Sequence, residues 1–108
     1  MKLEAISPDR LNEMITNDRV NVLDVNARQS WMKAHVPGAI NLDLAVYTES
    51  DLPADKEATL IFYCSNPMCR KAPKATRKAE KMGYANVKVM PVGISGWLSA
   101  GFPTETGE

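Results

Sequence analysis

The chain has 108 residues, enough for one domain and too few for two, and its 44% hydrophobic and 24% charged residues are those of an ordinary globular protein. Thirteen basic residues offset thirteen acidic ones, so bulk charge points to neither nucleic acid nor a membrane as partner, and any anion binding must be local. Two cysteines are too few for a secreted disulfide scaffold. No apolar run approaches the roughly 20 residues of a membrane span. Met1-Lys2-Leu3-Glu4-Ala5-Ile6 lacks the apolar stretch and cleavage site of a signal peptide. A cytoplasmic protein is expected, or a periplasmic one if a leader has been removed.

Ser7-Pro8 has the form of an N-cap followed by proline at the first helical position. Leu11, Met14 and Ile15 at helical spacing then predict an amphipathic helix to about Asn17. Val20-Asn21-Val22-Leu23-Asp24-Val25 is a β-branched run and reads as a strand. A second short helix, carrying Trp31 and Met32, is predicted from about Arg28 to Ala34. It stops ahead of Pro37-Gly38, because residues before proline avoid helical angles and Pro-Gly favours a turn. Ala39 to Leu42 reads as a brief extended piece, and Ala45 to Lys56 as loop or irregular helix.

Thr59-Leu60-Ile61-Phe62-Tyr63-Cys64 is the strongest strand, apolar on both faces as in a central parallel strand covered on each side. After Ser65 to Arg70, a helix is predicted from about Lys71 to Lys81, ending before Gly83 as a C′ glycine. Its basic face of Lys71, Lys74, Arg77, Lys78 and Lys81 reads as solvated. Asn86 to Met90 is a further strand, and Gly93-Ile94-Ser95-Gly96-Trp97 opens a last short helix closed by Gly101-Phe102-Pro103. Alternating strands and helices predict a single α/β domain over residues 1–108 with a mainly parallel sheet. In such sheets ligands bind at the carboxyl ends of strands, and Cys64 lies at one.

Three features would make Cys64 a reactive thiolate. It ends a buried strand, a helix N-terminus with unpaired N–H groups follows, and Arg70 and Lys71 add positive charge there. Amides of Ser65 to Arg70 could curl into a nest for an anion; Pro67 removes one donor, and Pro73 is tolerated only in the first helical turn. From the residues alone, a small buried hydrophobe is an equally good reading of Cys64.

Five motifs in order bear on that choice: Val22-Leu23-Asp24-Val25; His35-Val36-Pro37-Gly38-Ala39-Ile40-Asn41; Ile61-Phe62-Tyr63-Cys64; Gly83-Tyr84-Ala85-Asn86-Val87 with Gly93-Ile94-Ser95-Gly96-Trp97; and Gly101-Phe102-Pro103. Together they resemble the rhodanese homology domain over nearly the whole chain. The resemblance implies a small three-layer α/β fold with helices on both sides of the sheet. It also implies sulfur transfer by double displacement without metal or organic cofactor. Cys64 would take sulfur from a donor such as thiosulfate and pass it, as a persulfide, to a thiol, to cyanide or to an acceptor protein. Ser65, Asn66, Pro67, Met68, Cys69, Arg70 and Lys71 would bind the donor, with Arg70 first and Lys71 second for side-chain help.

The loop departs from the usual sulfurtransferase pattern, which has its basic residue five positions after the cysteine. Here Cys69 takes that place and Arg70 follows. Cys-x5-Arg is the spacing of the related dual-specificity phosphatases and rhodanese-fold arsenate reductases, so oxyanion chemistry stays open, as does a non-catalytic binding module. A smaller branch with a Cys-x4-Cys loop is also similar. Cys69 is a candidate resolving thiol, able to attack a persulfide or sulfenic acid on Cys64, or else a packing residue. Asp24 and His35 are expected to give structural support, Asp24 by capping a helix or anchoring the loop, His35 at its Pro-Gly turn. Where the family carries an arginine after Asp-Val, this chain has Asn26, with Arg28 two further on. One histidine and two cysteines make a poor metal site, and no glycine-rich nucleotide motif is present.

Overall fold

The computed structural model describes residues 3–107. Strands β1 (Glu4–Ala5), β2 (Asn21–Asp24), β3 (Ile40–Asn41), β4 (Leu60–Tyr63) and β5 (Val87–Val89) form one sheet in the order β1-β5-β4-β2-β3. Every pairing is parallel. The helices are α1 (Pro8–Asn17), α2 (Arg28–Lys33), α3 (Lys71–Lys81) and α4 (Gly93–Ser99), with a 3-10 turn at Glu49–Asp51.

Parallel strands need cover on both faces, and β4 shows how the sequence supplies it. Successive side chains of a strand point to opposite faces. Leu60, Phe62 and then Cys64 join an apolar cluster with Ala72, Ala75 and Ala79 of α3. Ile61 and Tyr63 join a second cluster with Leu11 and Met14 of α1 and Trp97 of α4. The small residues of α3 let that helix lie close against the sheet.

The predicted ends of α1 and α3 coincide with those observed. Ser7 Oγ accepts from Arg10 N at 3.1 Å, capping α1 ahead of Pro8. Gly83, with φ +102°, follows α3 in the left-handed conformation that a C′ glycine serves. The basic face of α3 is exposed at Lys71, Lys74, Arg77 and Lys81. Lys78 is not purely solvated, since its ammonium lies 4.3 Å from the Tyr47 ring centre and donates to Leu44 O at 3.0 Å. In the 45–56 segment the 3-10 turn begins where Thr48 N donates to the Asp51 carboxylate at 2.8 Å. The sequence reading did not include β1, whose two exposed residues pair only with β5.

Strand order fixes where a ligand would sit. From β2 the chain moves outward to β3, then returns across β2 to β4 and leaves in the opposite direction to β5. The carboxyl ends of β2 and β4 therefore flank the point at which the winding reverses, where open parallel sheets form a binding crevice. No helix among the described residues is long and apolar enough to cross a membrane.

Candidate active site

Cys64 directly follows β4 and is 2% exposed. Its carbonyl accepts from Ile94 N, and that of Ser65 from Ser95 N, both at 2.9 Å. These donors belong to the first turn of α4, whose amides have no partner within the helix. So close an approach requires glycine at position 93. Gly93 has φ +65°, and a Cβ there would lie 2.5 Å from Cys64 O and 2.7 Å from Ser65 C. Ser65 Oγ also donates to Asn26 Oδ1 at 2.6 Å. The start of the loop is thus held to α4 on one side and to the residues after β2 on the other.

Beyond Ser65 the loop is held by its own turn. Met68 N donates to Asn66 Oδ1 at 2.9 Å and Cys69 N to Asn66 O at 3.1 Å. Asn66, Pro67 and Arg70 are exposed, and Met68 is 85% exposed at the tip. Arg70 occupies the N-cap position of α3 without a side-chain cap bond, and Lys71 opens the helix, so both charges stand at its positive end. Cys69 is half-buried against the apolar cluster that holds Cys64. The two sulfurs are joined in a disulfide across a Cα separation of 6.3 Å, ordinary for such a bond. In this form Cys64 has no free thiol.

Behind the loop lies a buried polar network. Asp24 Oδ2 accepts from Tyr63 Oη at 2.6 Å, and Oδ1 from Asn26 N at 2.8 Å. Tyr63 Oη accepts in turn from Val36 N at 3.1 Å. Burial raises the Asp24 carboxyl above its ordinary pKa, while the bonds from Tyr63 and Asn26 and the nearby His35 oppose that rise. Burial and the adjacent Asp24 likewise push the Tyr63 hydroxyl upward. Asn41 Nδ2 donates to Asp24 O at 3.0 Å and to Asn26 O at 2.9 Å. Asp24 therefore caps no helix; it reaches the loop through Asn26, which in turn holds Ser65.

His35 Nδ1 carries a proton, because its partner at 2.7 Å is the Trp31 carbonyl, which only accepts. The ring stacks on Trp31 at 4.4 Å, and its Nε2 lies 3.8 Å from the Glu105 carboxylate. These partners lie outside the loop. Beside the loop, an open groove of about 680 Å³ is lined by Val25 to Arg28 after β2, by Asn41 to Ala45 around the end of β3, and by Lys71.

The sequence pattern of the rhodanese-like domain matches residues 7–100. The chain belongs to the rhodanese-like domain family. It is 32% identical over 90 residues to the HTH-type transcriptional regulator Rv0324 of Mycobacterium tuberculosis, covering 82% of this chain and 38% of that protein. It is 28% identical to the thiosulfate sulfurtransferase GlpE of Actinobacillus succinogenes over 106 residues, 98% of this chain and 94% of that one. Among solved structures, the BH2092 protein of Bacillus halodurans superposes with a TM-score of 0.87 at 26% identity, covering 95% of this chain and 77% of that one.

Within this rhodanese-like domain the fold brings Cys64, Ser65, Cys69, Arg70 and Lys71 to one place, while Asp24 stands behind them and His35 apart. Three supporting residues were given no site role from the sequence: Asn26, Asn41 and Gly93. Asn26 stood only for a missing arginine; the structure makes it the acceptor for Ser65 and a buried link to Asp24. Gly93 carried a legible signal, a glycine opening a helix where a stronger helix former would ordinarily stand.

Proposed function

We propose that this domain is a sulfurtransferase that carries sulfane sulfur from a donor such as thiosulfate, as a persulfide on Cys64, to a thiol or cyanide. The observation that supports this reading is the setting of Cys64: the carboxyl end of the central strand, at the winding reversal, with its backbone fixed by α4 and the α3 N-terminus beside it. A reduced Cys64 there has helix-end amides and the charges of Arg70 and Lys71 to favour its thiolate. The similarity to a protein named thiosulfate sulfurtransferase supports thiosulfate as donor.

Cys64 thiolate attacks the outer sulfur of thiosulfate. The Cys64 S–S bond forms, the S–S bond of thiosulfate breaks, and its electron pair leaves with sulfite. In the disulfide form the amides of Met68 and Cys69 are turned into the loop. In the reduced form the amides of Ser65, Asn66 and Arg70, with the Arg70 and Lys71 side chains at the positive end of α3, are the donors assigned to the sulfonate oxygens. An acceptor thiol or cyanide removes the outer sulfur and restores the thiolate.

The test uses protein reduced and freed of reductant, treated with thiosulfate and followed by intact mass and sulfite release. A gain of one sulfur or an equivalent release of sulfite, lost in Cys64→Ser, is expected. No sulfite and no retained sulfur, together with hydrolysis of an aryl phosphate or thiol-dependent reduction of arsenate, would overturn the reading in favour of oxyanion chemistry.

A further inference from the structure

We propose that Cys69 resolves the Cys64 persulfide by attacking the Cys64 sulfur, so that the chain releases the outer sulfur as sulfide and closes the Cys64–Cys69 disulfide before any external thiol takes part. This deepens the sulfurtransferase reading and rests on it. It adds a reductive activity: thiosulfate and an external dithiol become sulfite, sulfide and the oxidised dithiol.

The structure holds the product of that step. Cys64 and Cys69 are bonded, and neither is a free cysteine. Both sulfurs face the α3 side of the sheet and pack in one apolar cluster with Ala72 and Leu42. The partner thiol therefore reaches Cys64 from within the loop, across a five-residue separation. The loop is divided as the step requires. Cys64 is fixed by the Ile94 bond to its carbonyl and by the Ser95 bond to the next one, that of Ser65, whereas Cys69 lies on an arc whose turn is closed by the two Asn66 bonds. That arc can open to admit an outer sulfur on Cys64 and close again. Arg70 and Lys71 directly follow Cys69 and favour its thiolate as well.

The chemistry balances without an added oxidant. Cys69 thiolate attacks the inner sulfur of the protonated Cys64 persulfide. A Cys69–Cys64 bond forms, the bond between Cys64 and the outer sulfur breaks, and its electron pair leaves as hydrosulfide. The sulfane sulfur is reduced to sulfide and the two thiolates are oxidised to the disulfide. An external dithiol then restores both thiols and is itself oxidised. Cys69 is the more accessible sulfur, since Cys64 is 2% exposed and Cys69 half-buried. The dithiol therefore attacks Cys69, and the stabilised Cys64 thiolate leaves first, ready for the next donor.

The test is a single turnover under anaerobic conditions: protein reduced, freed of reductant, then given thiosulfate with no acceptor. The wild type is expected to release sulfite and sulfide in equal amounts, to end lighter than the reduced chain by two hydrogens, and to retain no sulfur. Its rate should not change on dilution, because the step lies within one chain. Cys69→Ser and Cys69→Ala are expected to release sulfite, keep one added sulfur and give no sulfide. Wild-type protein that keeps the added sulfur and releases no sulfide overturns the proposal while leaving sulfur transfer standing. Sulfide release that slows on dilution, or that persists in both Cys69 variants, also overturns it. Absence of sulfite from wild type and variants alike is a different outcome, the failure of the sulfurtransferase reading itself.

Discussion

Cys64 and Ser65 are fixed from two sides, by the amides of α4 and by Asn26, whereas Asn66 to Cys69 make their hydrogen bonds within the loop, on Asn66, and are tied to the core through the Cys69 disulfide and its packing. The first half is buried or half-buried and the second mostly exposed. The difference separates two requirements of one site. On the proposed function Cys64 is the nucleophile, which has to be held in place to attack in line, and its support comes from elements distant in sequence. On the proposed role of Cys69, a resolving thiol has to approach and withdraw, and the hydrogen bonds of its segment close within the loop rather than on the sheet.

The largest test of this contrast is Gly93→Ala. A Cβ at that position meets the Cys64 carbonyl at 2.5 Å and requires a residue with a side chain to adopt φ +65°. Loss of about 3 kcal/mol in denaturant unfolding is expected, with slower sulfite release in whatever protein remains folded. A variant as stable as wild type would mean that α4 does not clamp the first half of the loop.

Asp24→Asn probes the network behind the fixed half. The folded-state pKa of Asp24 is raised, so the folded protein favours the protonated carboxyl. Its contribution to stability is full below the unfolded value of about 3.9 and is lost as pH rises through the folded one. The amide keeps an acceptor for Asn26 N and removes the ionisation. Urea unfolding from acid to neutral pH is therefore expected to show a smaller fall in stability across the carboxylate range for Asp24→Asn than for wild type. An unchanged pH slope would mean that Asp24 ionises in the folded protein as freely as in the unfolded one.

The smallest effects compare the two halves directly. Ser65→Ala removes the bond to Asn26 and is expected to lower stability by about 1 kcal/mol. Asn66→Ala removes an exposed bond within the loop and is expected to cost about half as much. Equal or reversed costs, measured under one set of conditions, would sink the division of the loop into a fixed and a movable part.

Much of the fold was legible because its signals are local. Ser7-Pro8 and the spacing of Leu11, Met14 and Ile15 bounded α1, and the doubly apolar run into Cys64 marked β4 as central. Gly83 marked the end of α3. Edge strand β1 was not legible, since two exposed residues carry no alternation to read. Lys78 read as a solvated lysine because its partners, Leu44 O and the Tyr47 ring, lie in an irregular segment more than thirty residues away.

The sequence by itself determined the order and limits of the main elements, the parallel α/β class, and the place of Cys64 between a buried strand and a helix start. It brought Cys69, Arg70 and Lys71 to the same loop, because residues so close in the chain have nowhere else to go. Only the tertiary structure decided what holds that loop. Asn26 and Ser65 are 39 residues apart and meet because β2 and β4 pair in register. Gly93 touches Cys64 because the chain after β5 turns back over the end of β4. Local spacing sets which way a side chain points, but which distant group it meets depends on strand order, register and the packing of helices onto the sheet.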